Sequence, residues 1–129
     1  MAETSTMPVI TEPSAAVTAV GATDALVFRR ASGGRYVLTT PAPPGIRDEL
    51  LVDDEPAVQQ ALTTGVCRVA AEQPRPVCAG YRARAAAVVA VDPDVVVVLG
   101  RADGCLAGVD DQALVAAAAA VALAEHRRG

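Results

Sequence analysis

Apolar residues along this chain come in short runs with two different spacings, separated by glycine and proline. The final third is the clearest part. Arg84-Ala-Ala-Ala-Val-Val-Ala-Val91 predicts a strand, Asp92-Pro93-Asp94 a tight turn, and Val95-Val-Val-Val-Leu-Gly-Arg101 a second strand. Proline presets φ for the turn, and the Asp92 carboxylate can bond the turn backbone. Val95 to Leu99 is apolar without alternation, which predicts a central strand covered on both faces. After a loop from Ala102 to Val109, Asp110-Asp111 opens an alanine-rich helix that runs to His126. Acids at its start and Arg127-Arg128 at its end both suit the helix dipole. Its larger apolar residues, Leu114, Val115, Val121 and Leu123, fall on more than one stripe.

Upstream, the pattern predicts a short helix over Ala15–Val20, then a strand over Asp24–Arg30 carrying Leu26, Val27 and Phe28. The Ser32-Gly33-Gly34 turn and a strand over Arg35–Thr40 complete a β-hairpin. Pro41 to Gly45 breaks regular structure. Ile46 to Val52 fits either a short helix or a strand, and a short strand over Glu49–Val52 is the expectation. Asp53 or Asp54 is expected to cap a helix that carries Pro56 in its first turn and ends at Thr64-Gly65. Val66–Ala70 predicts a strand, and Glu72–Gly80 a loop held open by Pro74 and Pro76. Residues 1–13 are polar and proline-bearing and are expected to be disordered, leaving 14–129 as a single domain. The fold class expected is α+β, with a mostly antiparallel sheet, flanking helices and a long C-terminal helix.

Composition narrows the chemistry. Among 129 residues only Phe28, Tyr36 and Tyr81 are aromatic, so few flat rings are on offer for stacking on bases, haem or sugars. A net charge of -4 speaks against a nucleic-acid binder, which needs a basic footprint to displace counterions. No apolar run is long enough to cross a bilayer, and the N-terminus lacks signal-peptide character, so a cytoplasmic protein is expected. Cys67, Cys78 and Cys105 are expected to be reduced thiols. They lack C-x-x-C spacing, and His126 is the sole histidine, which excludes the usual metal sites.

In the order hairpin, loop, helix, strand, hairpin, terminal helix, the chain resembles the GAF domain family, in the divergent form common in actinobacterial regulators. The resemblance covers about Asp24 to His126. It rests on Gly21-Ala-Thr-Asp24 before the first strand and on Ala57-Val-Gln-Gln-Ala-Leu-Thr-Thr-Gly65-Val, similar to the family's helix-then-Thr-Gly segment. The strand ending Leu99-Gly100-Arg101, with Val109-Asp110-Asp111-Gln-Ala-Leu114 after a loop, is similar to its terminal helix. PAS-like and profilin-like sheets, including roadblock-type scaffolds, share the layers with other connectivity. The GAF resemblance implies a sheet of five or six strands with helices on one face and a pocket on the other, often in a dimer made through terminal helices.

Most chemistries of that family lack their residues here. The chain has neither Asn nor Lys, which removes most of the cyclic-nucleotide pattern. Cys78 is followed by Ala79-Gly80 rather than by the histidine usual at bilin attachment, and His126 reads as a solvated helix end rather than a haem ligand. No cofactor is therefore expected. Free methionine sulfoxide reductases of the family work through cysteines, and Gly65-Val66-Cys67 resembles one of their segments. That makes a Cys67 and Cys78 thiol enzyme the alternative reading, although their spacing departs from the family's. Asp53-Asp54-Glu55 and Asp110-Asp111 are better explained as helix caps than as cation ligands. The main expectation is a non-enzymatic sensor or scaffold domain, a homodimer or a binder of a signalling partner. Its small aliphatic pocket would be lined by Phe28, Tyr36, Cys67, Cys78, Tyr81 and Arg84 and would suit a modest apolar or weakly anionic ligand, or none. Arg82 and Arg84 near its mouth fit an anion clamp or a solvated strand entrance equally.

Overall fold

A computed structural model describes residues 13–41, 44–101, 106 and 110–128. Residues 1–12 and most of the 102–109 loop, Cys105 included, lie outside the described residues. The elements are α1 (Pro13–Ala19), β1 (Asp24–Ser32), β2 (Arg35–Leu38), β3 (Glu49–Leu51), a 3-10 turn at Val52–Asp54, α2 (Pro56–Thr64), β4 (Val66–Cys78), β5 (Tyr81–Asp92), β6 (Val95–Arg101) and α3 (Asp111–Arg128). All six strands form one antiparallel sheet in the order β3-β2-β1-β6-β5-β4. The α+β class is as expected from the sequence. Among the described residues no helix is long and apolar enough to cross a membrane.

Helices cover both faces of the sheet. On one side Leu114, Ala117, Ala118, Val121 and Ala122 of α3 pack with Val17 of α1 on Val27, Ala87, Val89, Val97 and Leu99. Those α3 positions recur at the i, i+3, i+4, i+7 spacing of a single helical face, and alanine at three of them lets the helix lie close. On the other side α2 packs against β4 and β5, and its Val58 and Ala61 share one buried cluster with Leu26, Phe28, Ala86, Val88, Val96 and Val98. β6 is therefore buried at every position from Val95 to Gly100, as its uninterrupted apolar run predicts. The resemblance implied an open face opposite the terminal helix; α2 covers β4 and β5 on that face, and Leu26, Phe28, Val96 and Val98 are buried there in one cluster with Tyr36, Leu50 and Tyr81.

Three expectations need correction. Glu72–Gly80 is not a loop: β4 continues through Pro74 and Pro76 to Cys78. It is an edge strand, where a missing N–H on the outer side costs no ladder bond, and its register on β5 shifts between Ala70 and Arg75. β5 accordingly begins at Tyr81, and Ala79-Gly80, at φ +50° and +85°, forms the two-residue reversal that joins the strands. Neither Asp53 nor Asp54 caps α2; both lie in the 3-10 turn, and Glu55 holds the N-cap position without a capping side-chain bond. Asp110 does cap α3, accepting from the Ala113 N–H at 2.9 Å, and Asp92 accepts from the Asp94 N–H at 2.7 Å in the turn before β6. α1 lies slightly earlier than expected, with Pro13 as its first residue.

Two polar links hold distant parts of this frame. The buried Glu55 carboxylate accepts from Arg47 at 3.1 Å and from the Ala79 N–H at 3.0 Å, while the Arg47 N–H bonds the Ala79 carbonyl at 2.8 Å. On the opposite side Arg29 of β1 meets Glu125 at 2.8 Å and donates to the Ala122 carbonyl at 2.9 Å, fixing α3 to the sheet.

Tyr81 lies across β6 at Gly100 and donates to Asp24 Oδ2 on β1 at 2.9 Å. A Cβ at Gly100 would overlap both the Tyr81 hydroxyl and its ring, well inside van der Waals distance. Gly100→Ala is expected to destabilise the fold by about 2–3 kcal/mol through overpacking, and Tyr81→Phe by about 1 kcal/mol through loss of the hydrogen bond. In urea denaturation the Gly100→Ala, Tyr81→Ala double variant should lose less than the Gly100→Ala and Tyr81→Ala single variants together. Strict additivity would contradict the contact.

Candidate functional site

The structure gathers five of the six expected ligand residues, but as packing. Phe28, Tyr36, Cys67, Cys78 and Tyr81 belong to one buried cluster between the sheet and α2, each no more than 6 % exposed. Arg84 stands outside that cluster, half-buried, with its Nε buried and unpartnered among the described residues. Arg82 is exposed and donates to the Pro74 carbonyl at 3.1 Å.

The thiols sit deep and apart. Cys67 faces Val88 and Cys78 faces Tyr81 across the β4–β5 ladder. At ~3.3 Å per residue that offset along β5 is roughly 20 Å, far beyond the ~7 Å limit for a disulfide. Burial pushes the Cys67 thiol up, and burial together with the Glu55 carboxylate pushes Cys78 up to about 12. Thiolate chemistry requires the opposite shift. Tyr81 is also raised, first by burial and then by its bond to Asp24. Among the described residues no group of His, Cys, Asp and Glu is arranged to hold a metal ion.

A cleft of about 480 Å³ lies where three chain reversals meet. Gly33 and Gly34 from the β1–β2 turn form one wall, Asp92 and Pro93 from the β5–β6 turn a second, and Ala61, Leu62 and Gly65 at the C-terminal end of α2 a third. Val52 and Asp53 lie beside them, with Ala90 between. Tyr36, the one expected ligand residue among the lining residues described, donates its hydroxyl proton to the Pro93 carbonyl at 2.5 Å. Its acidity is weakened chiefly by burial; Arg30 acts against that shift, and Asp94 and Asp92 add to it. Arg30, also lining the cleft, is held by the Gly33 carbonyl at 2.9 Å and by Asp94 at 3.2 Å. The pattern of the chain marked the first two reversals as turns and the third, at Thr64-Gly65, as the end of a helix. Their convergence depends on strand order and register, which no single segment encodes.

The buried Cys78 thiol makes stability depend on alkaline pH. In the unfolded chain it ionises near 9.0, whereas the fold holds it neutral to about 12. Its contribution is complete below pH 9 and is lost as pH climbs from 9 towards 12, by roughly 2 kcal/mol at pH 10.5. The urea midpoint should therefore fall more steeply over pH 9–11 for the wild-type protein than for Cys78→Ala. Parallel curves would remove this role for the thiol. Neither Cys67 nor Cys78 should react with iodoacetamide at pH 8 until denaturant is added.

Comparison of the chain with protein-family models, with curated proteins and with solved structures found no match in any of the three.

Proposed function

We propose that this protein is a non-enzymatic regulatory or scaffold domain of GAF-like type, working in signalling or transcriptional control, which binds a small molecule in the cleft beside Tyr36. The observation that carries the reading is the contrast between an open cleft built from three turns and the Cys67 and Cys78 thiols, sealed in the core with raised pKa values. Binding needs a concave surface with a few placed polar groups on an apolar wall, and the cleft supplies both. The buried free thiols Cys67 and Cys78 accord with a reducing cytoplasm, where we place the protein.

The same proposal includes a homodimer through α3. Val115 and Leu123 are 37 % and 52 % exposed on the helix side away from the sheet, with half-buried Ala119 between them at the i+4 positions. Small residues beside larger ones permit close helix approach. Sedimentation equilibrium should give a dimer for the wild-type protein and a monomer for Leu123→Glu, with little change in thermal stability because Leu123 is not in the core. A wild-type monomer at high concentration would sink the dimer.

For the cleft, a mixed-charge fragment library followed by 15N NMR should produce shifts clustered on Gly33, Gly34, Gly65 and Ala90. A screen in which no fragment moves those amides would defeat the ligand-binding reading.

A further inference from the structure

We propose that the cleft selects a small organic cation, a primary ammonium group carried on a short aliphatic chain; this rests on the reading of the cleft as a ligand site. Four observations point the same way. Asp53 and Asp92 both line it, and neither forms an ion pair among the described residues. Arg30, the one cationic lining residue among those described, is already engaged by Asp94 and the Gly33 carbonyl. The C-terminal turn of α2 borders the cleft through Ala61, Leu62 and Gly65, and the carbonyl end of a helix carries partial negative charge.

The fourth observation concerns the phenol. Tyr36 lines the cleft, is 3 % exposed and gives its hydroxyl proton to the Pro93 carbonyl, so its oxygen has only acceptor capacity left for a ligand. No donor among the described residues satisfies that oxygen. The phenolic oxygen, the Asp53 carboxylate and the Asp92 oxygen not taken by the Asp94 N–H thus offer acceptors to a ligand. An ammonium brings three donors and no acceptor, which matches them, while Val52, Ala61, Leu62 and Ala90 receive an aliphatic chain. A carboxylate or phosphate would meet Asp53 and Asp92 as like charges, with the compensating arginine already committed.

The test is a titration series on the full-length protein with three probes of matched size, butylamine, butan-1-ol and butanoate, followed by 15N NMR at low salt. Butylamine should shift the Gly33, Gly34, Gly65 and Ala90 amides saturably, and 1,4-diaminobutane should bind at least as well. Butan-1-ol and butanoate should bind at least tenfold more weakly. The Asp53→Asn, Asp92→Asn double variant keeps an acceptor at both positions and should lose about tenfold in butylamine affinity, with resonances elsewhere unchanged. Butanoate or butan-1-ol binding as tightly as butylamine would overturn the cation proposal while leaving the cleft a ligand site. Undiminished butylamine binding by the double variant would also overturn it. If none of the four probes moves those amides, the cation proposal falls, and the fragment library separately decides whether the cleft binds anything.

Discussion

The constraint on which the rest depends is that β5 and β6, at the centre of the sheet, are buried on both faces. A strand buried on both faces cannot alternate apolar with polar residues, and it cannot carry large side chains on both faces unless the helices stand off. The chain meets this with valine on β6 and alanine with valine on β5, while alanine on α3 and α2 lets the helices settle close. With three aromatic residues in the chain, bulk is concentrated at Phe28, Tyr36 and Tyr81 on the α2 face. The α3 face is built from alanine, valine and leucine, with no aromatic ring.

That distribution explains where a cleft can exist. The interior of each layer is filled, so open space arises where the sheet ends and turns lead the chain away. Tyr36 lies at this margin: its ring belongs to the core and its oxygen to the turn at Pro93. Glu55 does comparable work elsewhere, joining the α2 start, the segment before β3 and the β4–β5 turn through one buried carboxylate. A group so placed is stabilising only while both of its partners remain, since a buried carboxylate left unpaired is costly.

Much of the fold was legible because it rests on local rules. The Gly33-Gly34 and Asp92-Pro93-Asp94 turns, the uninterrupted β6 run and the capped α3 each follow from a few neighbouring residues. Pro74 and Pro76 misled because proline excludes a strand only when hydrogen bonds are needed on both sides, and β4 is at the edge. Asp53 and Asp54 misled because two acids before Pro56 suit a cap as well as a 3-10 turn. The site was less legible still. Phe28, Cys67 and Cys78 were expected to line a pocket on the supposition of an open face. With both faces covered, alternation along a strand no longer separates pocket from core. What the cleft retains from the expected set is Tyr36, at the meeting point of segments far apart in the chain.

The pairing of β1 with β6 divides the sheet into two halves of different history. β3-β2-β1 and β6-β5-β4 are each joined by neighbouring strands in the chain, whereas residues 24–29 must find residues 95–100. During synthesis the first half therefore emerges with the inner edge of β1 unpaired until β6 is made. Closing that seam carries the entropy of the intervening chain, making it the slow, non-local step in assembly. Tyr81 spans the same seam from β5 to Asp24. The ring over Gly100 is thus a latch between the two halves, set only after nearly all of the chain exists.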